Sequence, residues 1–386
     1  MLAAHYTEYF KRCGDELHFA AHSHHPWPDV ARAAQLQYWD DSVKLTNRKW
    51  THIFGEVVPQ AQAHVARLLK LDDPELVAFA PNVHEFAVRL FSCLDWSKPL
   101  HLVTTASEFH SFGRQAKRLE ETGRLKVTRV SADPFETFAE RFIAALATPH
   151  DMVWLSHVFF DSAFVVGDLE RIVGRCAPGA VVAIDGYHAF CALPIDLSAI
   201  RDRVFYTAGG YKYAQSGEGC CFLAIPPGCE LRPMSTGWYS EFGRLADKGA
   251  GLTGYGDKAF RFWGSTFDAS GLYRFNAVMQ WLHGLGITPR EIHQHAVKLE
   301  DQLLAALTVD GHHPLPVSAL VPGAGSPRGN FLTFDLAKAA EVEARLSEKK
   351  IRVDRRGPRL RFGFGVYQDQ AYVERLIERV RGALKA

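Results

Sequence analysis

No apolar run long enough to span a bilayer, about 18 residues, occurs anywhere in the 386-residue chain. The opening segment, MLAAHYTEYFKRCGDELHF, interrupts its apolar stretches with charge. Neither a membrane span nor a secretory signal is expected, so the expected compartment is the cytoplasm. Charge of one sign is equally scarce. Lys and Arg number 44 against 43 Asp and Glu, a formal net charge of +1, and basic tracts do not exceed two or three residues. Nucleic acid and anionic membranes are thereby excluded as main partners. The 7 cysteines are odd in number, and Cys13, Cys93, Cys176, Cys191, Cys220, Cys221 and Cys229 show no C-x2-C spacing. They read as reduced thiols, neither a disulfide frame nor a zinc site. No G-x-G-x-x-G follows a predicted strand: the glycine-rich VPGAGSPRGNFLTF precedes one, which argues against a nicotinamide-dependent oxidoreductase. HEFAV is not a zinc-protease motif, because Val88 stands where the second histidine is required.

What is present is an ordinary globular composition, 47% hydrophobic and 23% charged, with length for two domains and a large core. Its centre is Val181 to Ala224. Val181 to Ile184 is a short apolar run closed by Asp185, and Val204 to Thr207 is a second run that leads into GGYKY. Both have the pattern of buried parallel strands. Catalytic groups of open α/β sheets lie at the carboxyl ends of strands, which directs Asp185 and Lys212 to one crevice. A lysine and an aspartate so placed suit pyridoxal phosphate: the amine bonds the aldehyde and the carboxylate keeps the ring nitrogen protonated. Read singly, Asp185 is a helix cap and Lys212 a surface lysine; the combination with His188 and Tyr211 favours the cofactor.

At this point the chain resembles the fold-type I pyridoxal-phosphate enzymes of the class V branch. DGYHA followed by GYKY, with VDRRGPRLRFGF near the end, is most similar to kynureninases. The resemblance runs over residues 17 to 380. It implies an α/β fold in which a large domain with a mostly parallel sheet carries helices on both faces, joined to a smaller α+β domain. Expected boundaries are 1–50 for an N-terminal segment packing on the small domain and active site, 51–285 for the large domain and 286–386 for the small one. A homodimer acting on a small-molecule amino-acid substrate is implied.

The same resemblance distributes roles. The turn after the Val77 to Phe79 strand, with Asn82, Val83 and His84, would hold phosphate at a helix N-terminus; otherwise Asn82 is a plain cap. Phe109, within SEFH, would stack on the ring. Ser162 would replace the polar partner of the ring 3-oxygen, since Phe159 and Phe160 occupy the usual polar positions, which weakens an aminotransferase reading. His188 and Tyr211 would contact the cofactor, with Tyr211 assisting proton transfer or holding phosphate. Trp238 would form a wall, and Thr266 would reach the phosphate of the neighbouring subunit. Gly264, Ser265 and Phe267 depart from the kynureninase pattern there. Arg361 would clamp the substrate carboxylate, with His22, His24 and His25 at the active-site mouth. The three histidines sit in a Pro-bearing loop, so no metal is expected. The expected activity is hydrolysis of the Cβ–Cγ bond of kynurenine or another β-acyl amino acid. A class V transaminase or lyase is the alternative, and a catalytically silent sensor or scaffold of the same fold the non-enzyme one. No cysteine follows Cys229, so a cysteine desulfurase mechanism lacks its thiol.

Overall fold

The computed structural model describes residues 2–241, 251–309 and 315–384. Its strands are β1 (Leu17–His18), β2 (Val77–Ala80), β3 (Leu100–Thr105), β4 (Leu125–Val130), β5 (Met152–Ser156), β6 (Val181–Asp185), β7 (Phe205–Gly209), β8 (Cys221–Ala224), β9 (Phe331–Asp335), β10 (Ile351–Arg352), β11 (Asp354–Arg356) and β12 (Arg359–Gly363). Seven of them form one sheet in the order β2-β8-β7-β6-β5-β3-β4. Pairing is parallel from β4 through β3, β5 and β6 to β7, and antiparallel on both sides of β8. Every residue of β2, β3, β5, β6, β7 and β8 is buried. Strands covered by helices on both faces lose the apolar–polar alternation and become apolar runs.

Helix faces follow the same logic. In the Val58–Leu69 helix the buried residues are Val58, Ala61, Gln62, Val65, Ala66 and Leu69, one stripe of a 3.6-residue period. The Asp29–Leu45 helix runs for 17 residues. Its first residue, Asp29, accepts the backbone N–H groups of Thr7 and Glu8, both at 3.0 Å, and so ties down the start of the Thr7–Cys13 helix. The helix packs along Ser270–Gly284.

A second hydrophobic core gathers residues from Ala296 to Leu384 together with Leu17 and Phe19. Here β9, β12 and β11 form an antiparallel sheet. The N-terminal segment is stitched onto it. Leu17 pairs with Ile351 in parallel, and the Gly363 N–H donates to Phe19 O at 2.7 Å. Gly363 allows this approach because a Cβ there would lie 2.2 Å from His22 Nδ1. Among the described residues, no helix is long and apolar enough to cross a membrane.

Candidate active site

The carboxyl ends of β5 and β6, the turn after β7 and the start of the Val83–Ser92 helix enclose a cavity of about 430 Å³. Lys212 enters it from the Gly209–Gly210 turn. A Cβ on Gly209 would fall 2.3 Å from Tyr187 Oη and 2.4 Å from Cys221 Sγ, so glycine lets those two side chains form the wall. Lys212 is buried. Its Nζ lies 2.6 Å from His188 Nε2 and 4.6 Å from the centre of the Tyr187 ring. Asp185 ends β6, and its Oδ1 accepts the Tyr187 N–H at 2.9 Å.

Loss of water governs the electrostatics. Burial pushes the Lys212 amine down from the ordinary lysine range to about 7, against the upward pull of Asp185. The Asp185 carboxyl is pushed up by the same burial, opposed by the Tyr187 N–H and by Lys212. His188 is held well below its usual range by burial, then by Lys212 and Arg361. The amine and the imidazole thus favour their neutral forms, one donating to the other.

Asn82, Val83, His84, Phe109, Asp185, His188, Tyr211 and Lys212 all line this one cavity. Asn82 caps the helix, its Oδ1 accepting the Glu85 N–H at 3.0 Å, and the positive end of that helix opens on the cavity. Phe109 lies 5.5 Å from Lys212 Nζ. His188 Nδ1 is buried without a partner, which leaves it for a bound molecule. A helix N-terminus, a buried amine, a carboxylate, a flat ring and a spare imidazole nitrogen fit pyridoxal phosphate.

Other expected residues lie elsewhere. Ser162 is fully buried outside the lining, its Oγ 3.4 Å from the Phe164 N–H, because the turn after β5 brings Phe160 to the cavity instead. Trp238 is 42% exposed and donates through Nε1 to Thr266 at 3.3 Å. Thr266 lines a separate 120 Å³ cavity with Glu85, Arg89 and Ser265. Neither lines the Lys212 cavity; Thr266 instead faces Glu85 and Arg89 of the Val83–Ser92 helix. Arg361, on β12, is buried behind the lining. Its Nη2 pairs with Asp354 at 2.8 Å, its Nη1 donates to Phe160 O, and its Nε is unpartnered. The three loop histidines diverge. His22 stacks on Phe331 at 4.5 Å with both ring nitrogens unpartnered. His24 stacks on Tyr211 at 5.0 Å, its side chain mostly exposed. His25 is buried, its Nδ1 2.7 Å from Pro26 O. Among the described residues no three His, Cys, Asp or Glu side chains form a metal-binding group.

Sequence reasoning passed over Tyr187, Ser156 and Cys221, all in the lining. Tyr187 was within reach, since it stands between Asp185 and His188 in the quoted motif. Cys221 is the one cysteine in the lining, and burial pushes its thiol up to about 12.

The family described as Aminotransferase class-V matches residues 17–376. The chain belongs to that family. Pyridoxal phosphate is the family's cofactor. Isopenicillin N epimerase from Streptomyces clavuligerus is 29% identical over 189 residues, 47% of this chain and 47% of that protein. Cysteine desulfurase IscS from Edwardsiella ictaluri (strain 93-146) is 24% identical over 201 residues, 50% of this chain and 49% of that one. The matched stretch thus spans about half the length of these curated relatives. Solved structures extend the likeness to nearly the whole chain. The cystine C–S lyase C-DES, solved with its product cysteine persulfide, superposes with a TM-score of 0.81 at 19% identity, covering 96% of this chain and 98% of that one. The Escherichia coli cysteine desulfurase CsdA gives 0.78 at 15% identity, covering 99% and 97%. The fold is that of the fold-type I pyridoxal-phosphate transferases.

Proposed function

We propose that this class V enzyme acts on an amino acid and cleaves a bond on its β side, by hydrolysis of Cβ–Cγ in kynurenine or another β-acyl amino acid. The observation that supports this most is the amine of Lys212, 2.6 Å from His188, in a cavity that also holds Asp185 and is walled by Phe160. Pyridoxal phosphate, when bound, supplies an electron sink for the substrate's Cα. Around it, Lys212 Nζ is the group that takes and returns the proton at Cα, since burial favours its neutral form. Asp185 supplies the negative charge for the ring nitrogen. Arg361 supplies the cation for the α-carboxylate, its buried Nε being free of any partner. Tyr211 and Glu218, also in the lining, supply polar groups for orienting water.

A second reading, elimination at Cβ, is favoured by the thiol inventory. Cys221, the cysteine in the cavity lining, is buried against Tyr187 Oη at 3.4 Å, so among the described residues the cavity offers no exposed thiol for a persulfide relay. Elimination needs none, and the C-DES lyase shares the fold. Transamination is the third alternative, disfavoured by Phe160 in the lining. The deciding experiment incubates the purified holoenzyme with kynurenine, 3-hydroxykynurenine and other β-acyl amino acids, and with an amino-acid panel that includes cystine, whose β-sulfur can leave, and follows products by mass spectrometry. Alanine release supports hydrolysis, and pyruvate with ammonia supports elimination. Stoichiometric conversion of the cofactor to its pyridoxamine form, discharged by a keto acid, overturns both. We also propose a homodimer. Leu36, Trp39 and Val43 form an exposed apolar stripe on one helix, and sedimentation would detect a monomer if this is wrong.

A further inference from the structure

The turn between β3 and the His110–Glu120 helix holds a carboxyl group with no assigned role. Glu108 is 7% exposed. Its Oε1 accepts the Thr105 hydroxyl at 2.7 Å and the Ser156 N–H at 3.1 Å. Its Oε2 lies 2.6 Å from Ser156 Oγ. Thr105 closes β3 and Ser156 closes β5, so one side chain ties two strand ends together. The residue that follows is Phe109, whose ring faces Lys212 across the cavity.

The second half of the argument is charge. Ser156 pairs with Asp185 across β5 and β6, which puts two carboxyl groups at adjoining strand ends. None of Glu108's hydrogen-bond partners is a cation: they are two hydroxyls and one amide. From β3 it meets Thr105 and from β5 Ser156; the charged group that acts on it is Asp185 on β6. Two nearby buried carboxyls served by one amine do not both ionise readily. Asp185 is the one that faces Lys212. Burial pushes Glu108 up to about 7, and Asp185 adds to the rise.

We propose that Glu108 is a positioning residue that works uncharged: it pins the turn carrying Phe109 to the end of β5 and leaves Asp185 as the negative charge for the cofactor ring. This rests on the reading that the cavity holds pyridoxal phosphate. Ser156 Oγ donates to Oε2 in the structure; with a proton on Oε2 that bond would reverse, freeing the hydroxyl of Ser156, a lining residue, to donate elsewhere.

The test uses the holoenzyme and three proteins: the parent, Glu108→Gln and Glu108→Ala. Glutamine reproduces the neutral acid, accepting at Oε1 and donating from Nε2. The readouts are the visible absorbance of the bound cofactor from pH 6 to 10 and the rate at which cofactor leaves on dilution. Glu108→Gln is expected to hold the cofactor as the parent does. It should also lose any spectral transition that the parent shows as Glu108 ionises above neutral pH. Glu108→Ala should release cofactor about tenfold faster, the scale of one lost hydrogen-bonded anchor, while keeping its far-ultraviolet circular dichroism. If Glu108→Gln releases cofactor as fast as Glu108→Ala, the negative charge is what matters and the proposal falls. It falls equally if Glu108→Ala matches the parent. A parent protein that binds no pyridoxal phosphate would overturn the proposed function itself, a separate failure.

Discussion

Gly363→Ala should loosen the docking of the N-terminal segment on β12, by an amount that follows from the distances around it. The added Cβ would stand 2.2 Å from His22 Nδ1, 2.8 Å from His22 N and 2.9 Å from Ala21 N. Carbon contacts rest at about 3.5–4.0 Å, so each backbone nitrogen would have to retreat by roughly 0.6 Å or more. An imidazole can swing aside, but two backbone nitrogens cannot without stretching the Gly363 N–H bond to Phe19 O. Overpacking costs about 1–3 kcal/mol, and clashes with backbone belong at the upper end, about 3 kcal/mol. Urea unfolding of the cofactor-stripped protein measures this directly. Repeating the change in a His22→Ala background removes the ring clash and leaves the backbone ones. The penalty there should shrink by about 1 kcal/mol, a coupling that a double-mutant cycle isolates. Arg361 lies two residues earlier on β12, so KM should rise in Gly363→Ala as well. A variant within about 0.5 kcal/mol of the parent, the scatter of ordinary surface changes, would refute the docking of this segment on β12.

Lys212→Ala should fold normally and show no turnover, and borohydride reduction of the parent followed by peptide mapping should label the peptide that contains Lys212 and no other lysine. Asp185→Asn should keep its bond to the Tyr187 N–H yet lose about a hundredfold or more in kcat, since breaking a buried ion pair costs about 3–5 kcal/mol; near-normal turnover would remove its role at the ring nitrogen. Arg361→Lys should raise KM by about tenfold or more with a smaller change in kcat, because an ammonium lacks the planar fork; steady-state kinetics decide this. An ordinary lysine loses its neutral fraction about tenfold per pH unit below its pKa of about 10.4. With the Lys212 amine lowered to about 7, cofactor rebinding to the stripped protein should stay nearly flat from pH 9 down to pH 8, then fall as protonation sets in near pH 7; a tenfold loss per unit from pH 9 downward would show an unperturbed amine.

The sheet was legible because its signals are local. Val181 to Ile184, closed by Asp185, and Val204 to Thr207, ahead of two glycines, are apolar runs, and strands lie at Val181–Asp185 and Phe205–Gly209. The full length of the Asp29–Leu45 helix is hard to read because DDSVKL is polar and the helix buries only Ala31 completely, so no apolar period marks its second half. Within the site, residues flanking a strand end came through: Asp185, His188, Lys212 and Phe109. Glu108 did not, because its value comes from Ser156, 48 residues away, and no spacing rule links them. Ser162 was placed by analogy with a polar position, but the turn after β5 points Phe160 into the cavity instead. Trp238 and Thr266 stand 28 residues apart on two segments that meet away from the Lys212 cavity, which no local pattern reveals.

The pairing of β1 with β10 joins residue 17 to residue 351, and that separation has a consequence for how the enzyme is made. A ribosome adds about 5–20 residues per second, so the first strand waits roughly 20–70 s for its partner to be synthesised. The seven-stranded sheet, complete by Ala224, has its full set of strands long before then. The loop with His22, His24 and His25 spends that interval without the strand that anchors it. A product truncated before Ile351 would carry Lys212 and Asp185 on the strands of its sheet but lack the strand that pairs with Leu17 and His18.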